Sequence, residues 1–234
     1  MKINYNDINT IYNRFVEPKQ NAEFLNKYSE LPLHLNTTKW RWEGKDLPRI
    51  ISLLEFKEFA DKNNFTFDRV LSINGANDPE FQYVNYKHIE NYNYLDDTIK
   101  YDLHNLNLNE SEFYAAGFDF FMCNQTLEHV YDPCLVLRNV RRVLRSGGIF
   151  YCNVPSFSMA HDTPHHYYTG ITPVGLGCIV QQAGFKILDI GFWGNTEYIN
   201  VMMNSNIWPD FRHVKNYKSE KNKEVISWIF AEAI

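Results

Sequence analysis

The chain is poor in most of the features that would place it quickly. No apolar run approaches the roughly 18 to 20 residues of a membrane-spanning helix, so the reading contains no transmembrane segment. The opening stretch MKINYNDINTIYNRF lacks an apolar core, which argues against a secretory signal. Cysteines number four (Cys123, Cys134, Cys152 and Cys178), none in a C-x-x-C pair. They sit in apolar sequence and read as reduced thiols of a cytosolic, cytoplasmic protein. A formal net charge of −5 disfavours a protein built to coat nucleic acid. Internal repeats and low-complexity segments are also missing. Glycine is scarce where an α/β protein usually holds a nucleotide: LSINGANDPE, residues 71 to 80, has Gly75 alone. A nicotinamide dehydrogenase wants G-x-G-x-x-G there, and the spacing offers nothing of the kind.

What is present is a globular composition. With 234 residues, 44% of them apolar and 22% charged, the chain can form one domain with a large core and room for a small appendage. Fifteen Tyr and 17 Phe predict a ring-rich core and pocket.

Residues 1–66 are polar, with helical patches, and read as a helical N-terminal cap. In IISLLEFKEFADKN, Ile51, Leu54, Phe56, Phe59 and Ala60 share a face at helical spacing. KWRWEG puts two tryptophans in a charged loop. Residues 67–234 change rhythm. RVLSIN and YVNYKHIE are strand candidates, and FDFFMCN and GGIFYCNVP are nearly unbroken apolar runs, as in a strand buried on both faces. DPCLVLRNVRRVLRSGG between them is a helix with Asp132 as cap, Pro133 at the first position and Gly147 as the left-handed stop. Val136, Val140, Val143 and Leu144 form its buried stripe, with Arg138, Asn139, Arg141 and Arg142 facing outward. Thr172, Pro173 and Gly184 repeat that punctuation in TPVGLGCIVQQAG. FKILDIGFW and EVISWIFAEA supply two last strands separated by a polar stretch. The alternation predicts an α/β fold with right-handed crossovers and an antiparallel closing strand.

In such sheets ligands bind beyond the carboxyl ends of the strands. Asn74 to Asp78, the region of Glu90, Asp102 to Asn105, and Asn124 to His129 all arrive there, each polar after an apolar run.

FDFFMCNQTLEHVYDPCLVLRNVRRVLRSGGIFYCNVPS resembles the central block of class I S-adenosylmethionine-dependent methyltransferases of the type 11-like kind. HHYYTGITPVGLGCIVQQAGFKILDIGFWGN is similar to the segment those enzymes carry after their fifth strand. The resemblance runs from about residue 68 to the last residue, with 118 to 156 its specific part; residues 1–66 lie outside it. It implies a Rossmann-type mixed sheet, mostly parallel, and S-adenosylmethionine as cofactor. The opening stretch then aligns with the family's LDIGCGxG loop. Ser72 replaces the usual acidic residue, Asn74 the first glycine and Ala76 the second. Asn tolerates positive φ and Ala is small, so the backbone can still approach a ligand around Asn74, Gly75 and Ala76. The family's first helix must be short or absent, with DPEFQ as its remnant.

By the same resemblance Glu90 takes the ribose hydroxyls, with His88 an alternative register for that acid. Asp102 accepts from the adenine amino group beside the amide of Leu103, and Asn124 and Gln125 meet the methionine end. Each has a plainer reading: a solvated loop carboxylate, a turn Asp, a satisfied turn amide. His129 reads as a hydrogen-bonded buried histidine.

HDTPHHYYTG gathers His161, Asp162, His165, His166, Tyr167 and Tyr168. Methyl transfer is a displacement driven by near-attack placement. An oxygen acceptor must also lose its proton, for which a histidine near neutral pKa is suited. His165 or His166 is the candidate base. A metal is an alternative, since His and Asp are ligands. Adjacent His165 and His166 diverge and the loop has no cysteine, so no metal is assigned. Aromatics in GFWGNTEYINVMMNSNIWPD line the acceptor side. The expected activity is O-methylation of a sugar or glycan intermediate, a small-molecule or glycan acceptor. The rival is a methyltransferase-fold binding or scaffold protein without catalysis, which the glycine-poor loop motivates.

Overall fold

The structure, a computed structural model, describes residues 2–38, 41–73, 75–91, 102–105 and 117–234. Its strands are β1 (Thr66–Ser72), β2 (Asn85–Asn91), β3 (Phe118–Asn124), β4 (Leu144–Pro155), β5 (Phe185–Trp193) and β6 (Ile226–Ala233). They form one sheet in the order β2-β1-β3-β4-β6-β5. β1 pairs in parallel with β2 and β3, and β3 with β4. β6 runs antiparallel to both β4 and β5. The α/β mixed sheet is therefore as the sequence predicts, with its last strand antiparallel. β6 inserts between β4 and β5 and leaves β5 at the edge. β6 is apolar on both faces and buried almost throughout, which suits an interior position.

Helices are α1 (Tyr5–Ile11), α2 (Ala22–Asn26), α3 (Leu31–Leu35), α4 (Leu47–Asn63), α5 (Pro133–Val143), α6 (Pro173–Gln182) and α7 (Thr196–Ser205). The start of α5 follows from its cap: Asp132 accepts from the Leu135 amide at 2.9 Å, and Pro133 gives up no needed donor. Its end differs from expectation. The helix stops at Val143 and Leu144 is already extended strand, so Gly147, at φ 77°, serves a turn inside β4. Asn139 is a second correction. Its side chain is buried, because two carbonyls from another segment draw it inward (below). Thr172 caps α6 and Gly184 follows it at φ 94°, both as expected. The polar stretch before β6 contains α7. Asn195 caps it by accepting from the Tyr198 amide, and Tyr198 and Met202, one turn apart, bury its inner face.

The N-terminal segment is helical and packs on both faces of the sheet. Ile11, Phe15 and Val16 join Leu176, Val180, Ile187 and Ile190 in one core cluster. Leu31, Leu35 and α4 join Phe120, Tyr151 and Phe230 in the other. α4 buries more than the expected stripe: Leu47, Ile50, Leu53 and Glu55 are buried too, while Phe59 is only partly so. No described helix is long and apolar enough to cross a membrane.

Candidate active site at the strand ends

β3 is buried along its whole length and ends in Asn124, 3% exposed. A buried amide needs partners on both its oxygen and its nitrogen. Asn124 Oδ1 accepts from Asn153 Nδ2 at 2.7 Å, and Asn124 Nδ2 donates to Asp78 Oδ2 at 3.4 Å. Asn153 faces Asn124 across the β3–β4 ladder. Gln125 turns out of the strand at φ 47°, its amide donating to the Asn153 carbonyl and its Nε2 to Asn153 Oδ1 at 2.7 Å. The network continues inward. Asn153 Nδ2 also reaches the Tyr151 hydroxyl, which donates to the Ser52 carbonyl of α4. A chain of amides thus fixes the end of β3 against β4, the loop after β1 and a helix on the sheet face. Asp78 ends one of the segments the sequence brings to the strand ends, whereas Asn153 was not singled out, since an Asn inside a strand gives no distinguishing local signal.

Asn74 lies outside the described residues. Gly75 opens a 3-10 turn over Gly75–Asn77, Ala76 is exposed, and a second such turn, Pro79–Tyr83, follows. The missing first helix and the DPEFQ remnant are therefore as expected. Arg49 of α4 secures that second turn by two hydrogen bonds to Glu80. Glu90 lies at the end of β2, where Arg69 of β1 engages its Oε1.

Asp102 adopts a turn geometry, its Oδ1 accepting from the amide of His104 at 2.9 Å and from His104 Nδ1 at 2.7 Å. Leu103 is buried. This short segment is tied to α5, because Asn139 Nδ2 donates to the carbonyls of both Leu103 and His104 at 3.0 Å. That pair of acceptors is the physical reason Asn139 points inward. The His104 ring stacks on Tyr131, centroids 3.7 Å apart.

The loop after β4 folds back over the loop after β3. Tyr167 and Tyr168 amides donate to the Glu128 carbonyl, and the Tyr168 hydroxyl donates to the Tyr131 carbonyl. The two candidate histidines separate. His165 is exposed and offers its backbone carbonyl to His129 Nδ1 at 3.0 Å. His166 turns inward beside His129 and His161, neither ring nitrogen having a hydrogen-bond partner. Burial, then the neighbouring His161 and His129, hold its pKa below the ordinary histidine value. His129 is half-buried and hydrogen-bonded, so the expected role is right in its bond and overstated in its burial. Glu128 has no exposure and neither carboxylate oxygen has a hydrogen-bond partner. Burial pushes it up to about 8. A neutral imidazole and a protonated carboxyl in one recess can accept and hold a proton.

Residues 78–152 match the model of a methyltransferase domain family. A Mycolicibacterium smegmatis protein described as a "Probable S-adenosylmethionine-dependent methyltransferase" is 31% identical over 93 residues, 38% of this chain. The match spans 36% of that relative's length. Among solved structures, an S-adenosylmethionine-dependent methyltransferase from Clostridium acetobutylicum overlaps 88% of this chain and 98% of its own. Its TM-score is 0.48 at 13% identity. A methyltransferase from Archaeoglobus fulgidus covers 79% of this chain and 94% of its own, with a TM-score of 0.48 at 15% identity.

Proposed function

We infer, for a chain that carries a class I S-adenosylmethionine-dependent methyltransferase domain, that it moves the methyl group of S-adenosylmethionine to an oxygen acceptor, a hydroxyl of a sugar or glycan intermediate, in the cytoplasm. The observation that carries this reading is the amide network at the end of β3, where Asn124 and Gln125 are held by Asn153 at the place a parallel sheet offers to a ligand.

Asn124 and Gln125 are assigned to the methionine end of the cofactor, and the backbone around Asn74, Gly75 and Ala76 to its close approach. Glu90 takes the ribose through Oε2, since Arg69 engages Oε1. Asp102 and the Leu103 amide take the adenine. The acceptor proton leaves through the histidines after β4, with His166 favoured over His165 because its ring faces inward without a hydrogen-bond partner. A sugar acceptor is supported by large exposed rings around that recess: Tyr131 at 56%, Tyr167 at 47% and Trp208 at 42% exposure. Trp208 lies edge-on to His161 with centroids 5.5 Å apart. Flat rings of this kind stack on the apolar C–H faces of sugars. The free state of all four cysteines accords with a reducing compartment.

Calorimetry with S-adenosylhomocysteine tests the reading. Saturable binding that weakens roughly 10-fold or more in Asn124→Ala is expected, as one lost polar contact is about 1–2 kcal/mol. Absence of binding at millimolar ligand favours the scaffold alternative, which the single glycine of the 71–80 loop supports.

A further inference from the structure

We propose that His129, His161 and His166 form a binding site for one divalent transition metal of the zinc class. One nitrogen from each of the three lies within 4.8 Å of those of the other two. The rings are close and inclined to one another: centroids are 5.0 Å apart at 85° for His129 and His161, 5.4 Å at 72° for His129 and His166, and 4.3 Å at 55° for His161 and His166. The close approach of one nitrogen from each ring is what marks a common centre.

The hydrogen bonds behind the rings decide which atoms those are. His129 Nδ1 sits 3.0 Å from the His165 carbonyl, and His161 Nδ1 sits 2.9 Å from the Met159 carbonyl. A carbonyl can only accept, so both Nδ1 atoms carry hydrogen, and in the neutral rings that bind a metal both Nε2 atoms present lone pairs. Backbone carbonyls bonded to the far nitrogen are the outer-shell partners that orient metal-binding histidines. His166 has no hydrogen bond at either nitrogen, although both are buried. No hydrogen bond holds its ring against the small movement that closes the nitrogens to about 2.0–2.1 Å from a metal. Without an ion, lone pairs of His129 and His161 converge on a space that supplies at most one N–H, from His166. A cation satisfies all three at once.

The sequence reading assigned no metal because it weighed His165 against His166 as adjacent side chains. The fold resolves that objection by drawing the third ligand, His129, from the loop after β3 and leaving His165 as the anchor of its carbonyl bond. Three imidazoles suit zinc, cobalt or nickel better than magnesium or calcium, and leave a coordination position open. Glu128 stands next to that position. Its Oε1 is 4.0 Å from His129 Nε2, the side chain is fully buried, and neither oxygen is hydrogen-bonded.

The role of the ion rests on the methyltransfer reading; its binding does not. In this form His166 acts through the ion instead of taking the proton itself: the ion would lower the pKa of an acceptor hydroxyl at the open position, whose proton passes to solvent as its oxygen attacks the sulfonium methyl. The methyl C–S bond breaks with its electron pair going to sulfur, leaving the methylated acceptor and a neutral thioether.

The full chain, stripped with chelator, is titrated with Co²⁺ and the visible bands of the bound ion are recorded. One equivalent is expected, displaced by Zn²⁺. His161→Ala and His166→Ala should each weaken binding by at least about 100-fold, since loss of even an outer-shell partner costs about 10- to 100-fold. His165→Ala should retain the equivalent. Circular dichroism of each variant separates loss of a ligand from loss of the fold, and the wild-type titration stands without any variant. No saturable Co²⁺ site in the wild type, or unchanged affinity in folded His161→Ala and His166→Ala, overturns the site. Equal methyl transfer by stripped and Zn²⁺-loaded protein overturns the ion's role alone. A protein that binds Co²⁺ as expected and transfers no methyl group overturns the methyltransfer reading and leaves the site standing.

Discussion

The guanidinium of Arg49 holds the Glu80 carboxylate with two parallel hydrogen bonds, of 2.5 and 2.7 Å, and Glu80 has no solvent exposure. Arg49 belongs to a helix on the sheet face, and Glu80 to the second 3-10 turn after β1. The pair therefore fastens the segment after β1 to the body of the protein. Removing one partner of such a pair leaves an uncompensated buried charge. Glu80→Ala should cost roughly 3–5 kcal/mol of unfolding free energy. The double variant Arg49→Met, Glu80→Leu should recover part of that loss, as no charge is then stranded. Denaturant titrations of the three proteins decide it. A double variant no better than Glu80→Ala would show that shape, and not charge, is what the pair supplies.

The amide network makes a second prediction. Asn153 is the shared partner of Asn124 and Gln125, donating to one and accepting from the other. Asn153→Ala leaves the buried Asn124 and the half-buried Gln125 each short of a partner, a loss of about 1–3 kcal/mol. It should also weaken S-adenosylhomocysteine binding, although Asn153 itself is assigned no contact with the cofactor. If calorimetry shows full affinity in a folded Asn153→Ala protein, Asn124 and Gln125 are not the groups that receive the methionine end.

The interior strands β3 and β4 were legible because their apolar runs are long and their neighbours are punctuated by Asp132, Pro133, Thr172 and Pro173, whose effects are local. Insertion of β6 between β4 and β5 was not, since strand order depends on contacts far apart in sequence. The candidate site divides the same way. Asn124 and Gln125 could be found from their place after an apolar run. Asn139 could not, because a helical Asn turns inward only when another segment brings it carbonyls. His129 looked structural for the same reason: its neighbours His161 and His166 lie more than thirty residues away in the chain and meet it only through the folding of two loops.

A pH dependence follows from Asp46, whose Oδ1 accepts from the Tyr198 hydroxyl at 2.5 Å. Burial pushes its carboxyl up to about 7, against the lowering effects of that hydrogen bond, of Arg49 and of the Leu47 amide. The folded state thus prefers the protonated acid more than the unfolded chain does. Its contribution to stability is full below the ordinary carboxylate value, near 4, and is lost as pH rises through about 7. The stability of wild type relative to Asp46→Asn should fall across that window by up to about 1.4 kcal/mol per pH unit. Thermal or urea unfolding of both proteins at several pH values isolates this group, because all others titrate alike in the pair. A constant difference from pH 4 to 7 would assign Asp46 an ordinary pKa.

Kinetics should separate the two adjacent histidines. His166 has an inward ring with both nitrogens buried and unbonded, whereas His165 is exposed and serves His129 through its backbone carbonyl, which an alanine also supplies. His166→Ala should lower kcat by about 10²- to 10⁴-fold, the usual contribution of a group that manages a proton in the transition state. Cofactor affinity should change little, since the assigned contacts to S-adenosylmethionine lie at Asn124, Gln125, Asp102 and Glu90. His165→Ala should change kcat much less. The measurement is single-turnover methyl transfer beside calorimetry with S-adenosylhomocysteine for each variant. Equal loss of kcat in both would return His165 to candidacy as the base, and unchanged kcat in both would move proton removal away from this loop altogether.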